Sequence, residues 1–223
     1  MTGPVDVRHL GLMLALTFST GVVDAVGYLG LDRVFTGNMT GNVAILGMAL
    51  AGGAGLPIVG PLVALAGFLV GAGVAGRVLR PAPAGWSPTA TAVLGTVTVL
   101  LTGVAVTLLL VGRPHGPAAD LVTAVLGLAM GSQAAAARAI AVPEVTTVAL
   151  TSTIVGLAAG PFGELGRTSG ATRLLAVALL LTGAATGALL VRLDLGLGIV
   201  LAAGICLVVT VTGLAEHRTS RRA

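Results

Sequence analysis

Long runs of apolar residues set the strongest limit on how this chain can fold. Crossing the roughly 30 Å hydrocarbon core of a bilayer takes about 20 apolar residues as a helix. Six runs approach or exceed that length: 9–30, 57–79, 90–112, 118–140, 174–191 and 195–214. With 56% hydrophobic and 9% charged residues and a mean hydropathy of +1.05, the chain is predicted to be an all-α membrane protein forming one integral domain over 1–223.

Two further apolar segments, 37–52 and about 145–160, are short for a crossing. Sixteen helical residues extend only about 24 Å. If all eight segments crossed, with the N-terminus inside, seven of the twelve arginines would be cytoplasmic and five external. If the two short segments enter and leave on one side, nine are cytoplasmic and three external, which obeys the positive-inside rule better. We therefore predict six transmembrane helices plus two short broken or re-entrant helices, with Arg33, Arg113 and Arg192 as the external arginines.

The second half of the chain repeats the plan of the first. A first repeat over about 9–112 and a second over about 118–214 have the same order of long and short segments, and Thr36 and Thr40 align with Thr147 and Thr151 at an offset of 111 residues. Each repeat contains three crossings, so the two halves are predicted to have opposite orientations. Inverted repeats with short helices are a recurrent plan of secondary transporters.

Polar side chains of the apolar segments are concentrated in a few places. The chain has two asparagines, Asn38 and Asn42, both in the heptapeptide 36–42, and its one glutamine is Gln133. Asp24 lies inside the first apolar run, where a carboxylate costs about 2.5–3.5 kcal/mol on insertion scales. Asp24 is predicted to be a proton or cation site, or alternatively a structural carboxylate that caps the broken helix.

The heptapeptide allows two interpretations, which can both apply to parts of it. In a continuous helix, Thr36 would share one face with Thr40, and Asn38 would share another with Asn42, while two glycines four residues apart would let a second helix approach. The segment would then be a packing seam. In the other interpretation a half-helix begins here, and its free backbone N–H groups and amide side chains face a solute. The candidate solute- or ion-binding residues are Asp24, Thr36, Asn38, Thr40, Asn42, Gln133, Thr147 and Thr151.

No motif of an enzyme is present, and we expect none of the activities that such motifs support. The three histidines fall at the ends of apolar segments, no pair of intramembrane aspartates exists, and the glycine-rich runs lack the lysine of a phosphate-binding loop. We therefore expect no catalytic residues, no metal site and no cofactor.

Two groups of residues resemble the YoaK-like family of bacterial inner-membrane proteins, whose function is unknown. The first group contains Asp24-Ala25, Tyr28 and Thr40-Gly41-Asn42; the second contains Gly131, Gln133, Arg138, Thr146-Thr147, Thr151 and Thr153. The chain departs from the family pattern at Ala134, where asparagine is usual, and at Ser152, where glycine is usual. The resemblance covers about residues 10–214 and implies a multi-pass protein of the bacterial inner membrane.

Two functions are compatible with these features. One is secondary transport or facilitated passage of a small solute, with proton coupling through Asp24. The other is a non-transporting membrane subunit or assembly protein whose polar residues pack helices together. The expected partners are the lipid bilayer and an unidentified small solute; a homo-oligomer is left open, and no nucleic acid is expected.

Overall fold

The protein is a bundle of α-helices. The computed structural model describes residues 7–53, 55–82, 85–140 and 168–220, which contain helices and no strand. The helices are α1 (Val7–Gly30), α2 (Met39–Leu50), α3 (Val59–Leu79), α4 (Pro88–Val111), α5 (Pro117–Ile140), α6 (Thr168–Val191) and α7 (Leu195–Ser220). All except α2 are long and apolar enough to cross a bilayer. The prediction of a helical membrane protein with six long spans is confirmed, whereas the segment 145–160 lies outside the described residues.

Local signals in the sequence explain where several helices begin and end. Ser87 caps α4 by accepting a hydrogen bond from the N–H of Ala90 (3.1 Å), and Pro88 follows at the first helical position. Gly112, with a φ of 77°, ends the same helix. The helix α6 begins at Thr168, not at 174 as the apolar run predicted, because helical backbone hydrogen bonding continues past the apolar stretch into polar residues.

Glycines allow α3 and α5 to pack with their backbones in contact. A Cβ atom added at Gly67 would lie 2.6 Å from the carbonyl oxygen of Ala124, and one at Gly71 would overlap the carbonyl oxygen of Leu128. The contact advances by four residues on both helices at once, so α3 and α5 are parallel. Close approach of this kind is the usual role of small residues between membrane helices.

The same packing joins α1 to α6. A Cβ atom at Gly183 would overlap the carbonyl oxygen of Phe18, and one at Gly187 would lie 2.7 Å from the carbonyl oxygen of Val22. These contacts also advance by four residues on each helix, so α1 and α6 are parallel. In each glycine-packed pair, one helix comes from the first half of the chain and the other from the second half.

The remaining two long helices, α4 and α7, pack antiparallel. The hydroxyl oxygens of Thr98 and Thr210 are 3.3 Å apart, and at the other end of the pair Gly196 lies against the side chain of Leu109. The resulting helix directions place Arg8, Arg77, Arg80, Arg138 and Arg173 near one end of the bundle and Arg33, Arg113 and Arg192 near the other. Among the described arginines, this is the distribution that the six-span prediction requires.

The short helix α2 enters and leaves at one end of the bundle. Its 12 residues extend about 18 Å, too little for a hydrocarbon core of roughly 30 Å. After α2 the chain returns to the end of α1. There the Arg33 guanidinium donates a hydrogen bond to the carbonyl of Gly55 (3.5 Å). The start of α3 lies there too, since a Cβ atom at Gly60 would meet the Val34 side chain at 2.6 Å.

Candidate functional site

The Asp24 carboxylate is held by the loop that precedes α2. Asp24 lies six residues before the end of α1, about 9 Å along the helix axis. Its Oδ1 accepts hydrogen bonds from the backbone N–H groups of Thr36 (2.9 Å) and Gly37 (2.7 Å). In the part of the chain that the structure describes, no arginine forms a hydrogen bond or ion pair with Asp24. The backbone N–H groups of the loop therefore compensate the negative charge of the carboxylate.

Glycines bring this loop close to α1. A Cβ atom at Gly37 would lie 2.9 Å from Cγ2 of Thr20 and 3.4 Å from Oδ1 of Asp24, and a Cβ atom at Gly27 would lie 2.5 Å from the carbonyl oxygen of Val34. A larger residue at either position would push the loop away from the helix. The loop can thus re-enter the bundle only because these two positions have no side chain.

The two asparagines shape the junction between the loop and α2. Asn38 is the N-cap residue, and its Oδ1 accepts a hydrogen bond from the N–H of Gly41 (3.2 Å). Asn42 is 1% exposed; its Oδ1 accepts from the N–H of Phe35 (2.9 Å), and its Nδ2 donates to the carbonyl of Phe35. Asn42 thereby supplies hydrogen-bond partners for loop backbone groups that have no helical partners inside the bundle.

The interpretation of 36–42 as one continuous helix is wrong. Residues 36–38 are not helical, and α2 begins at Met39. Thr36 and Thr40 therefore do not share a helical face, and Asn38 and Asn42 have different roles as cap and loop support. The physical reason is that the Asp24 carboxylate and the Asn42 amide offer the loop backbone alternative partners to helical hydrogen bonds. The other interpretation, a half-helix that begins inside the heptapeptide, describes the observed backbone.

Thr36 and Thr40 occupy contrasting positions. Thr36 is fully buried, and its hydroxyl lies beside the Asp24 carboxylate without forming a hydrogen bond of ordinary geometry. Thr40 is exposed and lies on the side of α2 opposite Asn42. The structure therefore brings Thr36 to Asp24 and leaves Thr40 outside this group. Thr147 and Thr151 lie outside the described residues.

Gln133 belongs to a second buried polar cluster, one helical turn away from Asp24. Gln133 is 1% exposed; its Nε2 donates to Oγ1 of Thr20 (3.1 Å), and its Oε1 accepts from Sγ of Cys206 (3.5 Å). The Cys206 sulfur is also 4.0 Å from the Ser19 hydroxyl. This cluster joins α1, α5 and α7, and Gln133 approaches the Asp24 site through Thr20 without contacting the carboxylate.

Sequence reasoning missed Thr20, although a signal was available. Thr20 precedes Asp24 by four residues, so both lie on one face of α1. The sequence gives no signal for a role of Cys206, which is a hydrogen-bond partner of Gln133. From the sequence we also predict that Asp24, Asn38, Asn42 and Gln133 line one polar cavity near the midplane, and this stays a prediction. Among the described residues, no group of three or more His, Cys, Asp and Glu side chains could hold a metal ion.

Comparisons with known proteins agree with the helical membrane architecture. The chain is 31% identical over 155 residues to the UPF0700 transmembrane protein YoaK of Bacillus subtilis (strain 168), a match that covers 69% of this chain and 68% of that protein. No solved structure matches the chain significantly. The model of the family described as "Protein of unknown function (DUF1275)" matches residues 12–212. The chain is therefore a multi-pass membrane protein that belongs to the DUF1275 family.

Proposed function

We propose that the protein is a secondary transporter or facilitator of a small solute in the bacterial inner membrane. The observation that carries the proposal is the half-length helix α2, which begins inside the bundle beside Asp24 and returns to the same end. In secondary transporters, substrates and coupling ions bind where such discontinuous helices begin, because their terminal backbone groups are free to interact with them.

The packing of the long helices supports the proposal. The two glycine-packed parallel pairs, α1 with α6 and α3 with α5, each join one helix from 9–112 to one from 118–214. If the halves are inverted repeats, α1 corresponds to α5, α3 to α6 and α4 to α7, and the helices of each corresponding pair run in opposite directions. The two parallel pairs are then equivalent to each other under a two-fold axis in the membrane plane. Binding near such an axis is typical of inverted-repeat transporters.

The chemistry of the site favours a small polar solute without net negative charge. The Asp24 carboxylate lies next to the first turn of α2 and would repel an anion. Asn38 and Thr40 are exposed at that turn, and both can donate and accept hydrogen bonds. A solute at this position would thus meet amide and hydroxyl groups beside one carboxylate.

A second function has a specific observation in its favour. The side chains of Asp24, Asn38 and Asn42 all bond to the chain's own backbone. Such bonds suffice to hold α2 in place, so these residues would be needed equally in a non-transporting subunit or assembly protein. The proposal of transport therefore requires a test that separates activity from stability.

The test is uptake into proteoliposomes from a panel of small polar solutes, with and without a proton gradient. Asp24→Asn is the critical variant, and Asp32→Asn is its matched control, because Asp32 is exposed in the same loop region. We expect uptake by the unaltered protein and by Asp32→Asn, and loss of gradient-dependent uptake in Asp24→Asn with folded protein retained. Failure of every solute to enter, together with an effect of Asp24→Asn on stability alone, would contradict transport and favour the subunit.

A further inference from the structure

The two oxygens of the Asp24 carboxylate have different surroundings. Oδ1 accepts the backbone hydrogen bonds from Thr36 and Gly37, while Oδ2 forms no hydrogen bond of ordinary geometry with a described residue; the backbone N–H of Asn38 also lies near the carboxylate. The Thr36 hydroxyl is fully buried beside the same carboxylate and lacks a hydrogen bond of ordinary geometry. A Cβ atom at Gly37 would lie 3.5 Å from Oδ2, so the glycine leaves that oxygen uncrowded.

These surroundings suit a proton better than a metal ion. Hard metal cations are held by about six oxygen ligands, whereas the nearest loop groups present N–H donors to the carboxylate. Among the described residues, the one buried side-chain oxygen without an ordinary hydrogen bond is Oγ1 of Thr36. A proton needs only one oxygen to bind and one partner for its hydrogen bond.

We propose that Oδ2 of Asp24 takes up a proton from water and returns it to water, with Thr36 as the positioning residue in both states. A threonine hydroxyl both donates and accepts hydrogen bonds. It would donate to Oδ2 when the carboxylate is ionised and accept from the Oδ2–H group when Asp24 is protonated. The inference deepens the proposed function by naming the coupling ion, and its test does not need a transported solute.

Among the residues that the structure describes, no other titratable group near Asp24 substitutes for it. The helix α2 and the stretch of α6 that packs against α1 over Gly183–Val191 contain no titratable side chain. The titratable groups described on α5, on α7, at the end of α1 and in the loops after α1 and α6 lie towards an end of the bundle or beside Gln133. None of them bonds to Asp24: Tyr28, Asp32, Arg33, Asp120, Arg138, Arg192, Asp194 and Cys206. Of the described groups, the Asp24 carboxyl is therefore the one to which a titration at this site belongs, and its loss in Asp24→Asn checks the assignment.

Protonation would also weaken the attachment of the loop before α2 to α1. Hydrogen bonds to an ionised acceptor are roughly twice as strong as neutral ones, so a proton on Oδ2 weakens the bonds from Thr36 and Gly37 to Oδ1. Those bonds attach the loop immediately before α2 to α1. Proton uptake is thus linked to loosening of the half-helix at its N-terminal end.

The proposal is tested by infrared difference spectra of the whole protein in lipid nanodiscs as the pH is changed. A protonated carboxyl group has a carbonyl stretching band whose frequency reports its hydrogen bond. We expect a pH-dependent band that disappears in Asp24→Asn, persists at the same frequency in Thr36→Ser, and moves in Thr36→Val towards the frequency of a carboxyl group without a partner. Sodium in place of choline should leave the midpoint unchanged.

Three results would overturn the proposal: an Asp24 carboxyl band that is absent or constant at every pH, a midpoint shifted by sodium, or identical spectra for Thr36→Val and Thr36→Ser. Thermal unfolding of each variant checks that the compared proteins are folded. A titrating Asp24 in a protein that carries no solute would refute transport and leave the proton site standing. Uptake of a solute without a titrating Asp24 would refute the proton site and leave the proposal of transport standing.

Discussion

The glycine-packed contact between α3 and α5 allows a quantitative prediction. A Cβ atom at Gly71 would overlap the Leu128 carbonyl oxygen and lie 2.9 Å from its carbonyl carbon, while one at Gly127 would lie 2.7 Å from the carbonyl oxygen of Ala64. Cβ atoms essentially never approach other heavy atoms closer than 3.0 Å. Because the obstructing atoms are backbone, no side-chain rotation relieves the overlap, and α3 and α5 must move apart.

Gly103 provides the matched control for these substitutions. It lies within α4, is exposed, and would have no atom within 4 Å of an added Cβ. The gain in helix propensity on replacing glycine by alanine, about 1 kcal/mol in water, is common to all three positions and cancels in the comparison. The difference from Gly103→Ala therefore measures the steric cost, which for overpacking is typically about 1–3 kcal/mol.

We expect the steric cost of Gly71→Ala to lie near the upper end of that range and the steric cost of Gly127→Ala near the lower end. Gly103→Ala should leave the free energy of unfolding unchanged or raise it slightly. The assay is the free energy of unfolding, measured by titrating the protein from a mild detergent into SDS. Equal unfolding free energies for Gly71→Ala and Gly103→Ala would refute the close packing of α3 on α5. A reversed order of Gly71→Ala and Gly127→Ala would refute the ranking by overlap.

Three further predictions concern the loop, the second polar cluster and the topology. Asn42→Ala should lower the unfolding free energy by about 2 kcal/mol, since two loop backbone groups lose partners worth about 1 kcal/mol each; an unchanged value would contradict the observed bonds. Gln133→Leu should cost about 1.2 kcal/mol, because it removes two hydrogen bonds at an average of about 0.6 kcal/mol each between membrane helices. Gln133→Ala should cost more, since it also leaves a cavity; equal thermal stabilities of the two variants would contradict tight packing there. With Cys206 replaced by alanine, a cysteine at 113 should react with an impermeant thiol reagent from outside the cell and one at 80 should not; the opposite labelling would overturn the six-span orientation.

The number and approximate limits of the long helices could be predicted because they depend on local composition. A run of about 20 apolar residues has few alternatives to a membrane-spanning helix, since every backbone polar group must be satisfied within the segment. The observed limits of α4 have equally local causes, a proline at the first helical position and a glycine after the last, Pro88 and Gly112. The start of α6 was missed because polar residues such as Thr168 carry no hydropathy signal for a helix.

The candidate site was predicted in part. The concentration of Asn38 and Asn42 next to Asp24 in an apolar chain pointed to the correct segment, because polar groups inside a membrane are costly and need partners. Their actual partners are backbone groups of the loop and of the first turn of α2. These depend on where the chain turns back, which side-chain spacing does not reveal. The contact of Gln133 with Cys206 joins residues 73 positions apart on different helices, so no local pattern could predict it.

The sequence by itself determined that the protein is helical, that it lies in a membrane, which segments are long enough to cross it, and which polar residues must find partners there. These properties follow from the free energy of placing each side chain and backbone group in a bilayer. Only the tertiary structure decided that α1 packs parallel to α6 and α3 parallel to α5, and that Thr20, Thr36 and Gly37 surround the Asp24 carboxylate. Those contacts depend on the fit of specific glycines against a distant backbone, and the physical reason is that steric fit between helices is a property of the assembled bundle rather than of any one segment.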